Sequence, residues 1–299
     1  MKKKLAVFYV LLAGTLWGCI GIFVRRYNEM GLSSMQTVAV RMVIAAVLFS
    51  LFVLIYKRRL FIIRLKDIWI FIGSGVISVG LFTYCYFSSI ELSSLSVAAV
   101  LLYTAPAFVM LFSLIFFKER MTVPKAISLI LAVLGCAMTT GVIGGHLNVT
   151  LAGFFFGLGS GVCYALYSIF SRFALNRGYE PFTITLYTFI FAAIFSLLAT
   201  DIRPVWQVVT ADIGSIGYAV LFALVSCVLP YVFYTLGLKY IASSTASIIA
   251  TVEPVVATVV GAVIFSEPLA IPFGYLGVAM VFLSVVLINI KKPSKKPSR

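Results

Sequence analysis

The sequence predicts an all-α polytopic membrane protein: ten transmembrane helices in two inverted five-helix repeats, with both termini cytoplasmic. Three observations lead there. Apolar residues make up 62% of the chain and charged residues 11%, with a mean hydropathy of +1.13, whereas ordinary globular domains carry about 25% charged residues. Apolar runs of about 20 residues, the length that crosses a hydrocarbon core of about 30 Å, recur along the chain. The stretch Thr245–Pro268 also repeats Ala98–Arg120 at an offset of 148, through Ala98/Ala246, Pro106/Pro254, Phe117/Phe265 and Glu119/Glu267, with Pro124/Pro272 just beyond. Matched landmarks in the same order mark an internal repeat, and a copy that crosses five times enters its second round from the opposite side.

In order, the predicted helices fall at about 5–24, 35–56, 68–89, 95–117, 123–143, 151–171, 181–200, 213–237, 244–265 and 269–290. This gives a first repeat over 1–145, a second over 151–290 and a basic tail at 291–299. The connections are too short for a soluble domain. Met1–Lys4 and the run after it imitate a signal peptide, but no Ala-x-Ala-like cleavage site closes the run, so it reads as a retained first helix. All five cysteines (Cys19, Cys85, Cys136, Cys163, Cys227) fall inside predicted helices with no paired spacing. They read as small apolar residues, not as a disulfide framework or a metal site.

The net charge of +14 does not point to nucleic acid, because of where it sits. Nineteen of the 23 Lys and Arg residues lie in segments that are inner if the N-terminus is inside; the outer loops hold only Arg25, Arg26 and Arg203. That is a strong positive-inside bias. The tail Lys291–Arg299 reads as an anchor facing anionic lipid.

Several intramembrane residues invite a functional reading beside a structural one. Gly14 and Gly18 flank Trp17, and Gly161 and Tyr164 stand at an offset of 147 from Gly14 and Trp17. Small residues at this spacing bring two helices together, and Trp17 and Tyr164 beside them are placed to look into a cavity. Arg41 lies about 9 Å below the outer end of the second helix. At that depth it serves either as an interfacial anchor or as a substrate or gating contact. The third helix carries Phe82, Tyr84, Tyr86 and Phe87, and the eighth Pro230, Tyr231 and Tyr234, with Tyr86 matching Tyr234 at the 148 offset. Tyrosines usually sit at the interface, but several here lie deep enough to face a wet interior. Tyr103 joins this set only if Pro106 unwinds the fourth helix. Glu119 and Glu267 read as structural carboxylates near helix starts opened by Pro124 and Pro272. Glu253 is different: about 15 Å along its helix from Ser243, it stands near the membrane midplane. A carboxylate there is costly and faces the bundle interior or water. The first repeat has Ala105 at that position.

At these landmarks the chain resembles the EamA-like branch of the drug/metabolite transporter superfamily. The residues are Leu16–Gly18, Arg41, Thr104–Arg120 and Val252–Pro268. The resemblance covers nearly the whole chain and implies a central cavity lined by helices one, three, four, six, eight and nine. It also implies a secondary carrier or facilitator that exports amino acids, related metabolites or toxic compounds, or imports small solutes such as choline.

The residues themselves favour a transporter, because inverted repeats, mid-span prolines and a midplane charge suit alternating access. No phosphate-cradling Gly-rich loop is present, so no ATP or other cofactor is expected. A membrane enzyme lacks its constellation: the one histidine, His146, lies in a Gly-rich outer loop. A channel lacks a ring of filter residues. The expected role is a secondary transporter of amino acids or related small metabolites in the cytoplasmic membrane, working outward, as a monomer or homodimer. Its substrate pocket is expected to hold Glu253, Trp17, Tyr84, Tyr103, Tyr164, Tyr231 and Tyr234. An aromatic pocket with one carboxylate also suits organic cations, and Glu253 is a candidate carrier of a coupling proton. The topology has a direct check: an engineered cysteine near Lys291 is expected to resist labelling from outside intact cells, and labelling there would overturn it.

Overall fold

The computed structural model describes residues 2–139, 150–266 and 273–289. His146, Glu267, Pro272 and the basic tail lie outside them. Ten apolar helices are present among the described residues. Eight have full spanning length: α1 (Lys2–Glu29), α2 (Ser34–Tyr56), α3 (Leu65–Leu92), α4 (Leu95–Phe117), α6 (Leu151–Asn176), α7 (Pro181–Ala199), α8 (Ile213–Leu238) and α9 (Ser243–Phe265). The other two, α5 (Val123–Thr139) and α10 (Phe273–Asn289), are shorter. This is a ten-helix fold of two repeats.

Backbone irregularities show the repeat more sharply than side chains do. Four described residues have positive φ, and they form two pairs. Lys118 (φ 53°) and Ser266 (φ 54°) end α4 and α9 at the 148 offset; Gly31 (φ 84°) and Gly178 (φ 86°) stand 147 apart. The third helix of each repeat contains a π-helical stretch, Gly73–Leu81 in α3 and Leu224–Val228 in α8. The fourth helix of each is interrupted: α4 between Leu102 and Ala105, α9 at Thr251. The causes are Pro106 and Pro254, which cannot supply the N–H for the carbonyls four residues back, Leu102 and Ala250.

Packing follows the same symmetry. α1 leaves its own repeat to lie against α8 and α9, while α6 lies against α3 and α4; α2 pairs with α7, and α5 with α10. Glycine permits the first of these exchanges and its counterpart. A Cβ on Gly14 would lie 3.0 Å from the Ala250 oxygen, and one on Gly161 2.8 Å from the Leu101 oxygen and 3.4 Å from that of Leu102. Each first helix therefore slides its glycine over the interruption of a fourth helix in the other repeat. Between α2, α7 and α8 the two halves share a dry core of Met42, Phe49, Leu186, Phe189 and Ala223. Buried hydroxyls mostly donate to carbonyls of their own helix, as Thr83 does to Val79 (2.6 Å) and Thr188 to Ile184 (2.8 Å), which keeps them satisfied without water.

Two local expectations need correction. The first helix runs five residues beyond its predicted end at 24, so Arg25 and Arg26 belong to the helix and not to a loop. Their guanidinium groups lie over the rings of Phe265 (4.1 Å) and Tyr218 (5.5 Å), contacts that let a helix carry charge at the interface. A short helix, Arg203–Val209, also occupies the outer connection between α7 and α8. The close approach at Gly161 is testable by thermal unfolding of purified protein. Gly161→Leu is expected to cost about 1–3 kcal/mol by overpacking, because a carbonyl cannot rotate away. Gly217→Leu, with nothing within 4 Å of its added Cβ, is the matched neutral control.

Candidate functional site

The interruption of α9 builds the site. Val252–Phe265 restarts the helix with Glu253 in its first turn, where the free N–H groups and helix dipole favour a carboxylate. The Tyr164 hydroxyl donates to Glu253 Oε2 at 3.0 Å. The equivalent turn of α4 carries Ala105, which packs dry against Val109, Phe108 and Ala165. The two breaks are alike in backbone and unlike in chemistry.

Around Glu253 stands a cage of rings. Trp17 is centred 6.2 Å from Tyr164, 5.4 Å from Tyr231 and 5.4 Å from Tyr234, edge-on to the first two. Tyr167 completes it, 4.9 Å from Tyr231 and 6.0 Å from Tyr234. Two hydroxyls are tied back: Tyr234 to Ser168 at 2.7 Å and Tyr167 to Thr235 at 2.8 Å. The space left between the rings and Ser78 is about 10 Å³, about what a single water needs. In this conformation the cage is shut.

Four of the predicted pocket rings, Trp17, Tyr164, Tyr231 and Tyr234, thus come together with Glu253. Tyr103 sits at the interruption of α4 that Pro106 causes and packs against the cluster of Cys136, Val255 and Val281. Tyr84 does not join them. It is 50% exposed on the outer surface of the bundle, edge-on to Phe156. The reason is helical period: Phe82 and Tyr86, four apart, share the inner face. Phe82 reaches the Tyr164 ring at 5.5 Å, and Tyr86 stacks on Phe82 at 5.9 Å, whereas Tyr84 points about 200° away from Phe82. Sequence reasoning missed Tyr86 and Tyr167, although the Tyr86/Tyr234 match at the 148 offset was the available signal.

Arg41 extends into the interior. Its Nε is buried without a hydrogen-bond partner. Two ionisable groups of opposite type, Glu253 from α9 and Arg41 from α2, therefore reach the interior. A wider cleft of about 620 Å³ lies at the predicted outer end, bounded by Arg26, Tyr27, Val208 and Tyr218. There Asp212 accepts from the Ser215 N–H (2.9 Å) and hydroxyl (2.9 Å), hydrogen bonds that hold its carboxyl below the usual carboxylate range.

A family model described as the EamA-like transporter family matches residues 4–141 and again 151–290. The chain belongs to the EamA-like transporter family. It is a multi-pass membrane protein. Among relatives of this EamA-like chain, an uncharacterized transporter of Archaeoglobus fulgidus is 27% identical over 295 residues, covering 98% of this chain and all of the relative. The uncharacterized transporter YyaM of Bacillus subtilis is 25% identical over 305 residues, with 98% of each covered. The threonine/homoserine exporter RhtA of Escherichia coli is 28% identical over 225 residues, covering 73% of this chain and 71% of that protein. A solved crystal structure superimposes with a TM-score of 0.77 at 15% identity over 95% of this chain and 96% of its own, a likeness of fold alone.

The placement of the tyrosines separates two substitutions. Tyr164→Phe removes a donor from a buried carboxylate and is expected to destabilise by about 1–3 kcal/mol. Tyr84→Phe is expected to stay within about 0.5 kcal/mol. Unfolding of the two purified variants beside wild type makes the comparison.

Proposed function

We propose that this transporter exports small amino acids across the cytoplasmic membrane by alternating access, with the ring cage as its binding site. The observation that carries the reading is the pair of a Tyr164-bonded Glu253 carboxyl and an Arg41 guanidinium whose buried Nε has no partner. An α-amino acid presents an ammonium and a carboxylate at one carbon, and the cage sits between a carboxylate, Glu253, and a guanidinium, Arg41, whose Nε has no partner of its own. Glu253 takes the ammonium, which the ring faces of Trp17, Tyr164 and Tyr231 also attract. Arg41 takes the carboxylate in the planar, two-pronged manner that suits guanidinium. Tyr103 and Tyr86 border the same space from the first repeat. The relative named as a threonine/homoserine exporter supports an amino acid as substrate and export as direction.

Alternating access follows from the symmetry. Two repeats with matched breaks, each first helix lodged in the other repeat, can rock against each other about a fixed midplane site. An organic cation is the second reading, favoured by the rings and Glu253. It leaves the Arg41 charge facing a cationic ligand, which is the argument against it.

Counterflow of labelled threonine in proteoliposomes tests the assignment. Glu253→Gln keeps the shape and much of the hydrogen bonding, so folding is expected to survive. Loss of a desolvated charge contact costs about 2–5 kcal/mol, or roughly 30-fold to several-thousand-fold in affinity, and counterflow is expected to fall accordingly; Arg41→Gln is expected to do the same. Wild-type uptake with a wild-type pH profile in Glu253→Gln would remove Glu253 from the mechanism. A lost pH dependence with substrate affinity retained would make it a proton carrier.

A further inference from the structure

Away from the cage, the densest polar cluster among the described residues joins the two repeats at the predicted cytoplasmic end. Glu119, just past α4, reaches across to the start of α9. Its Oε1 accepts the Ser243 N–H at 3.1 Å, and its Oε2 accepts the Ser244 hydroxyl and the Lys125 ammonium, the latter at 3.3 Å. Lys125, from α5, also donates to Ser244 Oγ at 2.7 Å. From α6, Arg172 donates through Nε to Ser243 Oγ at 3.1 Å and through its terminal nitrogen to the Ile241 carbonyl. Ser243 and Ser244 are fully buried, and the Glu119 and Lys125 side chains are only 15% and 17% exposed.

The sequence reading gave Glu119 the right chemistry and the wrong helix: it serves the positive end of α9 in the other repeat, not that of α5. Four elements from both halves are therefore tied at one point, where any opening toward the cytoplasm has to separate them. The cage above it is shut, and a cleft of about 620 Å³ lies at the opposite end.

We propose that Glu119, Lys125 and Arg172 form the inner gate of the transport cycle, holding the resting carrier closed to the cytoplasm. The charge set is only partly duplicated by the repeat: Glu119 and Arg172 recur as Glu267 and Arg25, but Lys125 does not. At the 148 offset Lys125 is replaced by Phe273, which carries no charge to pair. The lysine that pairs with Glu119 at the inner closure thus has no charged match in the sequence of the second repeat. The contacts among Glu119, Lys125, Arg172 and the start of α9 are made with the inner side closed, and a two-state carrier responds to any loss of contact made in only one state. Charges and hydrogen bonds this well buried are strong while intact, and removing one partner leaves the other exposed to its full desolvation cost.

The test reads conformation and not transport, so its outcome is independent of the amino-acid reading. Ser247 lies one turn inward from Ser244, whose carbonyl it bonds at 3.1 Å, and it is 7% exposed. Ser247→Cys in a background with the five native cysteines replaced is treated with a membrane-impermeant maleimide in inside-out vesicles. Adding Glu119→Gln or Lys125→Gln is expected to raise the labelling rate tenfold or more, Glu119→Asp by much less, and none of them to raise labelling in right-side-out vesicles. Thermal unfolding of each variant separates opening from misfolding, and Arg172→Lys, which keeps the charge, serves where a Gln variant does not fold. Unchanged inner labelling in folded Gln variants would overturn the proposal. So would a rise of equal size from both faces, which means general loosening. Altered labelling with no threonine counterflow would leave the gate standing and remove the substrate.

Discussion

A carbonyl that loses its N–H partner inside a bilayer must be covered by something else, and this molecule meets that constraint twice. Pro254 and Pro106 leave Ala250 and Leu102 without their helical donors, and the flanking threonines turn inward, Thr251 bonding the Ile248 oxygen and Thr104 the Leu101 oxygen, each at 2.6 Å. Gly14 and Gly161 then bring a helix from the other repeat directly over each break. Irregular backbone at membrane depth survives only where protein buries it. The exchange of α1 and α6 between halves is the form that burial takes here. A carboxylate placed in the first turn after such a break gains a helix N-terminus and an enclosed position at once.

The two repeats share this architecture and differ in what they put on it. Ala105 makes the first break an apolar joint; Glu253 gives the second a carboxyl group with Tyr164 as its hydrogen-bond donor. Lys125 and Phe273 differ in the same way at the inner closure. Duplicated backbone supplies two equivalent conformations, and unequal side chains give each a distinct energy.

Much of this was legible in the sequence because lipid imposes simple rules. Ten apolar runs, two mid-span prolines at one offset and a lone midplane glutamate needed no structure to be seen, and Trp17, Tyr164, Tyr231 and Tyr234 followed from glycine spacing and helix depth. What was not legible depended on rotation or on distance in the chain. Choosing Tyr84 over Tyr86 required the azimuth of α3, and a π-helical stretch directly before these residues shifts that azimuth away from the regular period. Tyr167 follows Tyr164 by one helical turn and was within reach of the same logic. The partner of Glu119 lies 124 residues away in the other repeat, and no local pattern announces it. The extension of α1 through Arg26 rested on rings in α8 and α9 that only packing brings near.

The central claim is that the cage between Glu253 and Arg41 holds an amino acid by both of its charges. Ligand-induced thermal stabilisation of the purified transporter tests it most directly, because a ligand that binds only the folded protein raises its melting temperature. Threonine and homoserine are expected to stabilise the wild-type protein, while the same compounds with the amine or the carboxylate removed leave it unchanged. Stabilisation by quaternary amines with none by threonine would contradict the account.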